Sequence, residues 1–281
     1  MNKGFQKSWI LILITMCLLF VFGLLGFIPF FARHEYLFTS LGELALILPI
    51  ALGVGQLGKP EFCKSLKNGF SPSLIPILVL IPFCMQTFVL YMTMPLHSLL
   101  YEIFGDTQSD VDNAKNLFEF AAQIFSVCIL PAIIEEILCR GVVMDMMKPY
   151  GISAAMLISA LAFTLLHFSV YSFTIIFMLG VMMAAVRIMT GSMRACILMH
   201  FSNNLFTLLM NYLPAENEFL TAAISILSFA FFPILTLRLL KKTEKNISAL
   251  TDVKTEKMTF SPAMCICLAV FAATTLFETI I

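Results

Sequence analysis

The sequence predicts an all-α protein: a polytopic transmembrane helical bundle of eight or nine spans. Three observations carry that expectation. The chain is 60% hydrophobic and only 12% charged, whereas soluble domains are roughly 45–50% apolar and about 25% charged. Apolar stretches near the ~20 residues that a spanning helix needs follow one another almost end to end. Basic and acidic residues also segregate into different connections. Residues 1–281 therefore read as a single integral-membrane domain in a lipid bilayer, with its chemistry concentrated at about 116–213.

Nine stretches qualify as spans: 9–32, 41–58, 74–96, 116–147, 151–168, 171–189, 194–213, 218–240 and 262–280. Lys3 and Lys7 precede the first, whose length exceeds a signal-peptide core of about 7–15 residues, so it is expected to stay as a span. Lys59, Lys64 and Lys67 follow the second. Glu102, Asp106, Asp110 and Asp112 fill the connection after the third, which contains the Pro-broken run "IPILVLIPF". The fourth is too long to lie wholly in lipid and should emerge or bend near Pro131. A turn "IMTGSM" containing Gly191, flanked by Arg187 and Arg194, joins the sixth to the seventh. Glu216 and Glu218 precede the eighth, and Arg238, Lys241, Lys242, Lys245, Lys254 and Lys257 crowd its far end. Lys and Arg accumulate on the cytoplasmic side. Nine crossings from a cytoplasmic amino terminus put every Lys and Arg on or toward that side except Arg33 and Lys115. Eight crossings suffice if 41–58 or 262–280 skims the interface.

The net charge of zero gives no reason to expect a nucleic-acid partner. Most cysteines lie in apolar runs and read as small hydrophobes, and Cys265-x-Cys267 has no second pair with which to build a metal knuckle. Arg33, His34 and Glu35 read as an interfacial turn and His97 as the start of the acidic loop.

Ionisable residues within spans cost about 2.5–3.5 kcal/mol each on insertion scales, so they face the bundle interior and mark functional paths. The middle spans hold Glu135, Glu136 and Arg140 on the fourth, His167 on the fifth and His200 on the seventh. Residues four apart share a helix face, so Glu136 can pair with Arg140, and His200 with Asn204. Glu135 points roughly 100° away from Glu136 and faces another part of the bundle. At about 1.5 Å per residue, Glu135 lies ~20 Å from Lys148, His167 ~24 Å from Gly151 and His200 ~9 Å from Arg194. Sequence counting therefore predicts uneven levels for the three, which only tilt or re-entrant ends would reconcile.

Three motifs stand in order on successive apolar helices: "EEILCR" (EExxxR), "FTLLH" from Phe163 to His167 (FxxxH) and "HFSNN" from His200 to Asn204 (HxxxN), the last approached through "TGSMRACILMH". Over about residues 116–213 the chain resembles the CAAX-protease and bacteriocin-processing family of intramembrane proteases (CPBP, or Abi, family). The resemblance implies an intramembrane endopeptidase acting on a membrane-associated protein or peptide. Glu135 and His167 would activate water, His200 and Asn204 would stabilise the oxyanion, and Glu136, Arg140 and Phe163 would support the first motif. It also implies a cell-membrane protein, and the chain's small size points to a bacterial one.

Cofactor use stays open at this level. Glu135, His167 and His200 also make a plausible zinc set, because catalytic zinc commonly takes three protein ligands and a water. A metal-free, glutamate-dependent mechanism is favoured, since Asn204 suits a hydrogen-bond donor better than a ligand. Other protease designs lose support: His34-Glu35 does not continue to H-E-x-x-H, and neither G-x-G-D nor G-x-S-x-G occurs. Two other classes compete. One is a non-catalytic membrane protein that binds peptide or confers immunity; the other is a transporter, which lacks the matching interrupted halves expected of many such folds.

Overall fold

The computed structural model of this chain describes residues 3–57, 60–104, 113–212, 218–248, 258 and 261–278. Of the charged connections, Lys59, Asp106, Asp110, Asp112, Glu216, Lys254, Lys257 and the side chains of Glu218 and Lys245 lie outside the described residues. Among the described residues the regular structure is entirely helical. In chain order the α-helices are α1 (Lys3–Leu25), α2 (Pro29–Arg33), α3 (Glu35–Ala45), α4 (Ile47–Leu57), α5 (Phe62–Lys67), α6 (Ile75–Met92), α7 (Met94–Phe104), α8 (Leu117–Gln123), α9 (Leu130–Glu136), α10 (Met144–Met147), α11 (Ile152–Leu165), α12 (Phe173–Thr190), α13 (Met193–Asn211), α14 (Glu218–Ser248) and α15 (Pro262–Glu278).

Nine helical stretches overlie the nine predicted spans, but six meet the length and composition of a membrane crossing: 4–25, 35–57, 72–92, 117–150, 173–190 and 222–244. Two of the other predicted crossings fall on shorter apolar helices, 152–165 and 262–274. The third falls on α13, which carries Arg194, His200, Asn203 and Asn204. The chain is thus an integral membrane protein with six helices long enough to span among the described residues, and the larger count of eight or nine is not reached there by this criterion. Bundle-lining hydroxyls add little polar cost. Thr15, Thr164, Ser202 and Thr236 each donate back to the carbonyl four residues earlier, which satisfies them without water.

Two packing centres frame the site. Leu78, Met85, Leu138, Phe163, Met183 and Met199 belong to one buried cluster. Trp9, Met16, Met147, Leu165, Ala184 and Cys267 belong to another, where α1 and α15 close on the bundle. α11 and α12 come together at Gly180, where an added Cβ would lie 3.0 Å from the Ala160 Cα. Outward-facing side chains remain large and apolar, as with Ile226 at 70% exposure and Leu237 at 66%. A surface of that kind is stable against hydrocarbon rather than water.

Candidate active site

The helix carrying the first motif is irregular for a local reason. Pro131 has no N–H to donate, and its ring crowds the carbonyl four residues back. The chain accommodates it with a π turn over Ile124–Ile129, in which the Leu130 N–H reaches the Phe125 carbonyl. A second π turn, Ile137–Val143, follows with the Met144 N–H on the Cys139 carbonyl. Such turns insert a residue and rotate the side chains beyond them, often at functional sites. Glu135 and Glu136 end the short regular stretch between the two, and Arg140 lies inside the second.

Glu136 and Arg140 are fully buried. Arg140 Nη1 donates to Glu136 Oε1 at 2.9 Å, and Nη2 donates to the Gly180 carbonyl at 3.0 Å. The guanidinium also lies 4.2 Å above the centre of the Phe163 ring, a cation–π contact in a desolvated setting. The predicted pairing of Glu136 with Arg140 is therefore present. Its counter-charge comes from one helix, and its remaining support comes from α11 and α12.

His200 extends this chain of contacts. Its Nδ1 lies 3.0 Å from Glu136 Oε1, and because a carboxylate only accepts, Nδ1 carries the hydrogen. On the other side of the ring, Nε2 stands 3.7 Å from Glu135 Oε2. That separation is too long for a direct hydrogen bond, yet it lets one oxygen approach both atoms at about 2.8 Å. Glu135 and Glu136 thus face opposite nitrogens of one imidazole, as their angular offset on the helix requires. The uneven level expected for His200 is corrected: it stands beside both glutamates. Residue counts from helix ends carry no information on this contact, which α13 makes across the bundle.

His167 occupies a different setting. It lies two residues beyond α11, exposed at the bundle surface. Its Nδ1 donates to the Phe163 carbonyl at 2.7 Å, which leaves Nε2 as the free acceptor. The next residue, Phe168, has φ 51°, a left-handed conformation rare for a bulky side chain and frequent where function constrains the backbone. Phe163 meets both imidazoles edge-on, with ring centres 4.7 Å from His167 and 5.4 Å from His200. Glu135 and His167 make no direct hydrogen bond or ion pair; Phe163 and His200 stand between them in the chain of contacts. Asn204 does not pair with His200. It donates to the Val127 carbonyl at 3.0 Å, inside the first π turn, and its Oδ1 accepts from Asn203 at 3.2 Å.

Sequence reasoning missed Glu43. α3 packs against α9, and the Glu43 carboxyl faces that of Glu135. The Oε2 atoms of both residues are buried without a hydrogen-bond partner. The signal was there to read: Glu43 is an ionisable side chain in the apolar run that forms the second span, where such residues mark function.

Among the described residues no three His, Cys, Asp or Glu side chains are grouped to hold a metal ion. Glu135 and His200 face each other without His167 as a third donor.

Compared with protein-family models, residues 117–206 match the family described as "Type II CAAX prenyl endopeptidase Rce1-like". Comparisons with curated proteins and with solved structures give no match. The matched segment runs from α8 into α13 and includes all three motifs, while Glu43 lies outside it. That match over about a third of the chain agrees with the CPBP resemblance that EExxxR, FxxxH and HxxxN carry.

Proposed function

We propose that this protein is a metal-independent intramembrane endopeptidase that hydrolyses a peptide bond of a membrane-anchored protein or peptide of the CAAX type. Glu135, assisted by His167 Nε2, takes a proton from water as the water oxygen attacks the scissile carbonyl. The oxyanion accepts hydrogen bonds from His200, as an imidazolium flanked by two carboxylates, and from the second N–H of Asn204. Preorganised donors of this kind are worth about 2.7–4 kcal/mol each in the transition state. Glu135 then returns the proton to the departing amine as the carbon–nitrogen bond breaks. Glu136 fixes the orientation of the His200 ring, and Arg140 and Phe163 hold Glu136 and the ring in place. The amino terminus faces the cytoplasm of a bacterial cell membrane in this reading.

One observation carries the proposal. The Arg140–Glu136–His200 chain ends in the 3.7 Å gap at Glu135, so a buried imidazole presents one committed nitrogen and one nitrogen open toward a carboxylate. The direct test is terminal peptidomics of membranes holding wild-type protein or Glu135→Gln. New carboxyl termini present only with the wild type support hydrolysis. Identical termini from the two membranes overturn it in favour of peptide binding without turnover.

A further inference from the structure

A cavity lies away from the catalytic residues, where α12, α11, α10 and the end of α4 meet. Its volume is about 580 Å³, and Leu57, Met144, Ile152 and Ile188 give it apolar walls. Its charged lining is Glu61, Asp145, Lys148 and Arg187. Three of these four are committed to one another. Lys148 Nζ lies 2.9 Å from Glu61 Oε2 and 2.8 Å from Asp145 Oδ1, and Asp145 Oδ2 accepts the Phe62 N–H at 2.7 Å.

Arg187 is the exception. It is 8% exposed, and its guanidinium makes no hydrogen bond or ion pair with any described residue. Its Nε is buried without an acceptor. The carboxylate that feels its charge is Glu61, already engaged by Lys148. A buried guanidinium left without an acceptor is costly, and its planar fork matches the paired oxygens of a phosphate. The residue lies three positions before Thr190, the end of α12, or about 4.5 Å along the axis. That is headgroup level for a spanning helix. An unengaged arginine between transmembrane helices at this level suits a phospholipid headgroup, and the apolar walls suit the glycerol and first acyl carbons behind a phosphate.

We infer that this cavity is a phospholipid site, in which Arg187 holds the phosphodiester of a membrane lipid and the apolar walls hold its glycerol backbone. The site is separate from Glu135 and His200, and it does not depend on the proteolytic reading.

The test is thermal unfolding of the full-length protein, purified in a phosphorus-free maltoside detergent and titrated with three probes: phosphatidylglycerol, diacylglycerol with the same chains, and inorganic phosphate. Phosphatidylglycerol is expected to raise the midpoint by about 5 °C at saturation, with the other two inert over the same range. Arg187→Gln is expected to weaken the phosphatidylglycerol response about tenfold or more, whereas Arg194→Gln, an exposed arginine at the same end of the bundle, leaves it unchanged. Equal protection by diacylglycerol, or an undiminished response in Arg187→Gln, overturns the site. Equal protection by inorganic phosphate overturns its assignment to lipid. Should Arg187→Gln fail to fold, phosphorus analysis after exhaustive detergent washing decides between wild type and Arg187→Lys, which loses the fork and keeps the charge. About one more retained phosphorus per wild-type chain supports the site, and equal phosphorus contents overturn it.

Discussion

Two charged clusters sit on one helix, little more than two turns apart, and they differ in what surrounds them. The Glu136–Arg140–His200 cluster is sealed, with Glu136 and Arg140 at 0% exposure. The Glu61–Asp145–Lys148 cluster is open at one edge, with the side chain of Glu61 at 69% exposure and that of Lys148 at 36%. Water screens the second and excludes itself from the first. The same types of contact therefore act as a rigid support in one place and a weak surface clamp in the other. Only the sealed cluster can hold an imidazole in one orientation against a second carboxylate, which is the condition for assigned acid and base roles.

Breaking the sealed cluster has the largest expected effect on stability. Glu136→Leu strands the Arg140 charge and should lower unfolding stability by about 3–5 kcal/mol, while the double variant Glu136→Leu/Arg140→Met recovers much of the loss. Thermal unfolding in detergent checks both, and a single variant as stable as the wild type would remove the support role. Next is the contact of α11 with α12. Gly180→Ala sets a Cβ 3.0 Å from the Ala160 Cα and displaces the carbonyl that accepts from Arg140, an overpacking cost of about 1–3 kcal/mol.

Glu43 sharpens the comparison from the catalytic side. If its carboxyl serves Glu135 as a hydrogen-bond donor, Glu43→Gln keeps an N–H there and retains cleavage. Glu43→Leu leaves Glu135 without that donor and should lower kcat about tenfold or more. Equal activity of Gln and Leu variants would show that the contact is incidental.

The smallest effect lies in the open cluster. The Lys148 ammonium, hydrogen-bonded to Glu61, holds that carboxyl below its ordinary range. A depressed folded-state value stabilises the fold above the ordinary carboxylate range and loses that contribution as pH falls through the lowered value. For so exposed a pair the size is under about 1 kcal/mol. Glu61→Gln should therefore cost little near neutral pH and flatten the acid side of the stability profile between about pH 5 and pH 3.

Much of this was legible in the sequence, and each gap has a physical cause. Helical spacing alone pairs Glu136 with Arg140 and turns Glu135 to another side, because both relations are local. The helical class follows from composition and the run of apolar stretches, and the order of the motifs from the family resemblance. Pro131 marked an irregularity, but two π turns depend on how the helix is packed, which no local pattern records. His200 arrives beside the glutamates through tertiary stacking, so counting residues from helix ends misplaced it. Asn204 shares a face with His200 yet donates to Val127, a carbonyl offered by the first π turn. Glu43 was readable as an intramembrane acid, but its meeting with Glu135 is a long-range contact without a motif.

The measurement that bears most directly on the central claim is hydrolysis in isotopically labelled water. Membranes carrying wild-type protein, incubated in water enriched in oxygen-18, should yield cleaved substrate with one heavy oxygen in each new carboxyl terminus. Glu135→Gln should insert normally and release that product about 10²–10⁴-fold more slowly. Labelled termini produced at the same rate by Glu135→Gln would contradict the assignment of Glu135 as the base that activates water.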